Sequence, residues 1–237
     1  MGVQLFIFYE AGLSLNVRRL LMELTVKDNI HALLLPWNVP FGTQTEFSTQ
    51  ELYFLDCFHR VVAKNYSDFA LKLRLSDFVV SKEFQFNLYK YIQAYDSSVD
   101  VFQLDEKVFC EEYPSDLIAH NLFMPFVTML KTRALDNKGN IKSVVYDVKK
   151  LNETLSNSKE FHSWFQKKGT QKAHFIPKDL ALIYSYYKCG ASSNDLDNFS
   201  ADRSMWQYKD TFFKSHLYLL AKEAQLIDEE RKNNLIP

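Results

Sequence analysis

Residues 6 to 37, FIFYEAGLSLNVRRLLMELTVKDNIHALLLPW, pass from an apolar strand pattern through a helical pattern and back to strand, and this order restricts the fold more than any other feature of the chain. Val3 to Tyr9 is rich in β-branched and aromatic residues, with Leu5 and Ile7 on one face and Phe6 and Phe8 on the other, so both faces read as covered, as in an inner strand. Val17, Leu20, Leu21 and Leu24 then recur at i, i+3, i+4 and i+7, which makes one apolar helix stripe and turns Arg18, Arg19 and Glu23 toward solvent. IHALLLPW follows as a second buried strand. A strand, a helix and a strand in this order form a right-handed crossover between parallel neighbours, so the strands at 3–9 and 30–35 are expected side by side and parallel.

Beyond residue 46 the period changes. Segments 48–64, 81–95, 114–133, 141–156, 159–168, 177–188 and 203–225 carry apolar residues at helical spacing, as in the stripe Val144, Val145, Val148, Leu151 and Leu155. With six glycines and six prolines in 237 residues, the helix breakers are sparse, which agrees. The exception is FALKLRLSDFVV, where Leu71, Leu73 and Leu75 alternate with Lys72 and Arg74 and predict a hairpin turning at Ser76-Asp77. The expected architecture is therefore a small α/β domain over residues 1–68, or to about 95 if the hairpin belongs to it, followed by an all-α domain to residue 237.

Composition excludes several function classes. The formal net charge is −1 with the basic residues dispersed, so no nucleic-acid footprint is present; Lys149-Lys150 and Lys167-Lys168 read as solvated helix faces. Cys57, Cys110 and Cys189 are odd in number, far apart and without CxxC spacing, which points to neither a disulfide framework nor a zinc site and predicts a reducing compartment. The strand pattern begins by Val3, so no signal peptide is expected, and MGVQLF lacks the Ser or Thr of a myristoylation motif. Apolar runs such as LFMPFVTML are far short of the ~20 residues of a membrane helix.

YEAGLSLNVRRLLMEL resembles the first loop and helix of the glutathione transferase superfamily, with Gly12, Ser14 and an Arg before Leu20-Leu21. KLNETLSNSKEFHSWFQKKGTQKAHFIPKDLALIYSYY is similar to that superfamily's late segment, in which an Asp begins a core helix; Asp179 holds that position. Pro177 suits a first helical turn, and Asp179 can reach back to free backbone N–H groups ahead of a stripe made of Leu180, Ile183, Tyr184 and Tyr187. PWNVPFGT at 36–43 and CEEYPSDLIAHNLFMPFVTML resemble stretches of the metaxins, subunits of mitochondrial outer-membrane protein import and assembly. The resemblance implies a thioredoxin-like domain followed by a larger helical domain. It also implies an adaptor that binds a protein partner, cytoplasmic or peripheral on the cytosolic face of the mitochondrial outer membrane. Metaxin-like proteins frequently carry a C-terminal membrane segment, whereas this sequence ends in polar KEAQLIDEERKNNLIP.

A glutathione transferase needs a hydroxyl or thiol at the start of the first helix to hold the glutathione sulfur as thiolate. Ser14 is the residue so placed, and it reads first as a helix N-cap. Ile7, not Tyr9, stands where tyrosine-type transferases keep their tyrosine. The family's Val-Pro pair and Glu-Ser pair are degraded in both available registers: Gln44 or Thr45 with Gln50-Glu51, or Leu71 with Lys82-Glu83. If glutathione binds, Ser14 with Glu51 or Glu83 would hold it. The preferred reading is a noncatalytic adaptor without cofactor or metal; the alternative is a transferase using Ser14. Asp116 and His120, one turn apart, read as a helical contact, not a metal pair. Cys57 and His59 point to different sides of a helix, His174 lies in a loop, and Trp37, Trp164 and Trp206 read as core residues or as part of a partner surface.

Overall fold

The computed structural model describes residues 3, 5–10, 12, 15–27, 31–37, 49–74, 76–83, 86–95, 97–110, 133–135, 141–157, 172–189, 199–214 and 219. Strand β1 (Leu5–Glu10), helix α1 (Leu15–Lys27) and strand β2 (His31–Pro36) form the expected unit. β1 and β2 pair in parallel from Leu5↔His31 to Glu10↔Pro36 as a two-stranded sheet. Helix α2 (Thr49–Lys64) follows and stops at Asn65, whose φ of 49° reverses the chain while the Tyr66 N–H bonds back to the Val61 carbonyl at 3.1 Å.

From here the structure departs from the helical expectation. The chain continues through β3 (Phe69–Leu71), β4 (Asp77–Val80), α3 (Leu88–Gln93), β5 (Val101–Cys110), β6 (Arg133–Leu135), β7 (Ile141–Asp147) and α4 (Val148–Asn157). It then forms β8 (Ala173–Phe175), β9 (Leu182–Tyr187), β10 (Phe199–Ala201), a 3-10 turn over Ser204–Tyr208 and α5 (Lys209–Lys214). Strands β3 to β10 make one eight-stranded mixed sheet. The all-α second domain, and with it the glutathione-transferase-like architecture, is thereby corrected: sheet occupies the region where the large helical domain was expected.

β5 organises this sheet. Its first half pairs antiparallel with β7 on one edge and parallel with β8 on the other; its second half pairs parallel with β9 and antiparallel with β6. β4 closes on the far edge of β9, and β3 on β7. The hairpin expected within FALKLRLSDFVV is therefore absent: its two halves pair with different strands, although the chain does turn at Arg74–Asp77, where Asp77 N–H donates to the Arg74 carbonyl at 3.0 Å.

Both faces of the sheet are packed. Phe102, Leu104, Val79, Ile183 and Val145 meet Leu88, Ile92, Ile176 and Ala181 on one side, while Val80, Phe109, Leu182, Tyr184 and Tyr186 meet Ala134 and Met205 on the other. Burial on both faces explains the misread segments. LIYSYY is apolar or aromatic at five of six positions, so a helical stripe can be drawn through it as readily as a strand, and length and β-branched or aromatic content favour strand. The stripe Val144 to Leu155 is divided: Val144 and Val145 lie in β7, then Asp147 accepts a hydrogen bond from Lys150 N–H at 3.1 Å and starts α4, which keeps Val148 and Leu151. Among the described residues of 81–95 only Leu88–Gln93 is helical, begun by Asn87, whose side chain accepts from Lys90 N–H at 3.2 Å. A third apolar cluster, Phe54, Phe58 and Val61 of α2 with Val148 and Leu151 of α4, takes in Ile7 of β1 and Ala70 and Tyr146 of the larger sheet. This cluster binds the opening βαβ unit to the rest.

Candidate functional site

In parallel α/β units, ligands meet the chain beyond the carboxyl ends of the strands. Here that end carries Tyr9 and Glu10 of β1, Trp37 after β2, and Tyr53, Asp56 and Arg60 of α2. Successive strand residues face opposite sides. Tyr9 and Trp37 accordingly turn to α2, where their rings lie 5.4 Å apart and pack on Tyr53 at 5.3 and 4.3 Å. Glu10 turns the other way and pairs with Arg18 of α1.

Tyr9, Asp56 and Arg60 of this end are committed to one another. Tyr9 donates to Asp56 Oδ2 at 2.7 Å, and Arg60, one helical turn on, donates to the same oxygen at 2.7 Å. Burial, then the bond to Asp56, pushes the Tyr9 phenol well above its usual range. Asp56 goes the other way: burial works against its charge, but the hydrogen bonds from Arg60 and Tyr9 prevail and lower its pKa. Cys57 beside it is pushed up to about 11 by burial and by the Asp56 charge. A nucleophile or thiolate stabiliser needs the opposite shift. Glu10 Oε2 and Trp37 Nε1 are buried and have no hydrogen-bond partner among the described residues. Residues 11, 13–14 and 38–48, which adjoin them, lie outside those residues.

Of the residues singled out by sequence, Trp37 and Cys57 lie at this end. Ser14, Gln44 and Thr45 lie outside the described residues, as do Asp116, His120 and Trp164. Glu51 falls in the first turn of α2. Glu83 is exposed in the loop after β4, where its backbone exchanges hydrogen bonds with the Ser81 hydroxyl. Asp179 caps no helix: it sits in a turn opened by Pro177, whose carbonyl accepts from Leu180 N–H at 2.9 Å, and its exposed carboxylate pairs with Lys82 at 2.7 Å. Leu180 belongs to the same turn, and Ile183, Tyr184 and Tyr187 belong to β9. His174 is in strand β8, not a loop, with its ring 3.9 Å from that of Tyr95 and Nε2 hydrogen-bonded to the Tyr91 hydroxyl at 3.2 Å.

Two further polar clusters escaped the sequence reading. Arg74 forks onto Asp77 at 2.9 Å and reaches Glu106 Oε1 and Ser185 Oγ at 3.0 Å each, with its guanidinium 5.2 Å from the centre of the Tyr187 ring. On the opposite face Lys107 donates to Asp202 at 2.6 Å, and Ser204 N–H bonds the other carboxylate oxygen at 2.8 Å. Glu106 and Lys107 are neighbours in β5 and so serve opposite faces. A strand assignment for VFQLDEKVFC was the signal that could have found both. Cys110 and Cys189 form a disulfide, with Cα atoms 5.3 Å apart across the ends of β5 and β9. This corrects the expectation of unpaired cysteines, since parallel pairing of distant strands brings together residues that sequence spacing keeps apart.

No protein-family model matches the chain, and a search of curated proteins finds no match.

A further surface feature among the described residues is α1. Leu15 is 82% exposed, Val26 80% and Met22 58%, with Val17 also outward. Leu15, Met22 and Val26 follow at i, i+7 and i+11 and share one face with Arg19. Val3 and Phe6, on or beside β1, are exposed as well. No helix among the described residues is long and apolar enough to cross a membrane.

Proposed function

We propose that this protein is a noncatalytic binding module that docks another protein on the outward face of α1. The observation that carries the reading is the exposed stripe Leu15, Met22 and Val26. A crossover helix normally spends its apolar residues on the sheet beneath it, and an outward apolar stripe marks an interaction surface. Arg18 pairs with Glu10 and Arg19 with Glu23 within the chain, so apolar contact sets the character of the partner's surface. The committed state of Tyr9, Asp56 and Cys57 supports the noncatalytic part.

The metaxin-like placement at the mitochondrial outer membrane leans on a large helical domain, and sheet stands in its place. Only the partner-binding part is carried forward. The transferase alternative with Ser14 has no specific observation in its favour. Calorimetry with glutathione separates the two: absent binding agrees with the docking module, whereas micromolar binding with turnover lost in Ser14→Ala would establish the transferase. The docking face itself is tested by Leu15→Glu with Val26→Glu, which should leave the fold intact and abolish partner binding.

A further inference from the structure

The three cysteines occupy three different situations. Cys110 ends β5, fully buried beside Val108, while Cys189 lies two residues past β9, only partly buried, with its sulfur 3.8 Å from the Tyr187 carbonyl oxygen. Cys57 sits within α2, and burial holds its thiol in the protonated, unreactive form. Thiol–disulfide exchange requires a thiolate to reach one sulfur of the bridge, and which sulfur is reached decides the product. Of the two bridged residues Cys110 is fully buried and Cys189 partly exposed, so a thiolate from solvent meets Cys189 first.

We propose that Cys189 is a thiol-exchange site, at which a small molecular thiol opens the bridge to Cys110 and remains attached as a mixed disulfide. The incoming thiolate forms a bond to Cys189 Sγ; the Cys110–Cys189 bond breaks, and its electron pair leaves on Cys110 Sγ, which takes up the proton the thiol released. One whole thiol molecule is added, with no external oxidant or reductant. Cys110 stays fixed in β5 opposite Tyr187, so it can attack Cys189 Sγ, expel the small thiol and restore the bridge. The exchange is therefore reversible and specific to one cysteine.

The adduct has a structural consequence. Residues 188–189 lose their covalent tether to β5, and the Tyr187 ring just before them packs against the Arg74 guanidinium that spans β4, β5 and β9. Opening the bridge should loosen Arg74–Asp77 and the end of β9 while leaving β1 and β2 unchanged.

The test is incubation of the full, unreduced chain with free cysteine in native buffer, followed by acid quenching, intact mass measurement and peptide mapping. The expected result is a mass gain of one whole cysteine on the Cys189 peptide, with Cys110 becoming alkylatable. The adduct should map to Cys189 and not to Cys57, a free thiol that cannot join another thiol without an oxidant, and it should disappear when the thiol is removed. Modification chiefly of Cys110, adduct formation only after denaturant unfolds the chain, or three alkylatable cysteines before any thiol is added would each overturn the proposal.

Discussion

Replacing Arg74 by Met tests the part of the fold that differs most from the helical expectation. Arg74 contacts Asp77 of β4, Glu106 of β5 and Ser185 of β9, which lie together only if β9 is a strand between β4 and β5. The side chains of Asp77 and Glu106 are 5% and 1% exposed, so Arg74→Met leaves two enclosed carboxylates without their guanidinium. Breaking such a pair from one side costs about 3–5 kcal/mol. The Arg74 side chain is itself 47% exposed, so water reaches the gap and screening favours the lower end, about 3 kcal/mol. With a urea dependence near 2–3 kcal/mol per molar, the unfolding midpoint should fall by about 1 M. Arg74→Lys should fall between Met and the parent, because an ammonium cannot fork onto a carboxylate. Adding Glu106→Gln to Arg74→Met should recover part of the loss by removing one enclosed charge. An Arg74→Met protein within about 0.5 kcal/mol of the parent would refute the shared enclosure, and the three-strand register with it.

Four further outcomes follow from particular groups. Burial opposes the charge of Asp202, but Lys107 and Ser204 hold its pKa down to about 2 from an ordinary 3.8. A depressed folded-state pKa contributes stability above about pH 4 that is lost as pH falls toward 2, here at most about 2 kcal/mol, and Lys107→Gln should flatten that acid limb of a stability-versus-pH curve. Tyr9 has the opposite sign: its raised pKa contributes stability that is present below about pH 10 and lost above it, so Tyr9→Phe should remove one alkaline inflection in the melting temperature and cost about 1 kcal/mol at neutral pH. Asp179→Ala should leave the melting temperature unchanged, because the carboxylate is exposed and caps no helix, and a clear drop would restore the helix reading. Reducing the Cys110–Cys189 bridge, which closes a separation of 79 residues, should lower stability by about 4–5 kcal/mol in denaturant titration on chain-entropy grounds.

What the sequence revealed depends on which faces are buried. β1, α1 and β2 were legible because an intervening helix admits only parallel pairing, and α2 because its apolar residues keep to one face, Phe54, Phe58 and Val61. β5 and β9 were not, because both their faces are packed and alternation is lost. The β7–α4 junction was hidden by a continuous valine and leucine pattern whose break is marked only by Asp147. The site was less legible. Asp179 came from a resemblance whose second half the sheet does not support, and Ser14 lies outside the described residues, whereas Tyr9–Asp56 and Arg74–Glu106 bring together residues 47 and 32 apart in sequence. Such contacts follow from topology, not from local spacing.

The central functional claim is that α1 docks a protein partner with its outward face, and site-specific crosslinking tests it most directly. A photoreactive side chain at Met22, 58% exposed in the stripe, should crosslink a single partner in native extract, and one at Lys64, at the end of α2, should not. Adding Leu15→Glu and Val26→Glu should abolish the Met22 crosslink without changing the melting temperature. Equal crosslinking from both positions, or a Met22 crosslink that survives the two glutamates, would contradict the account.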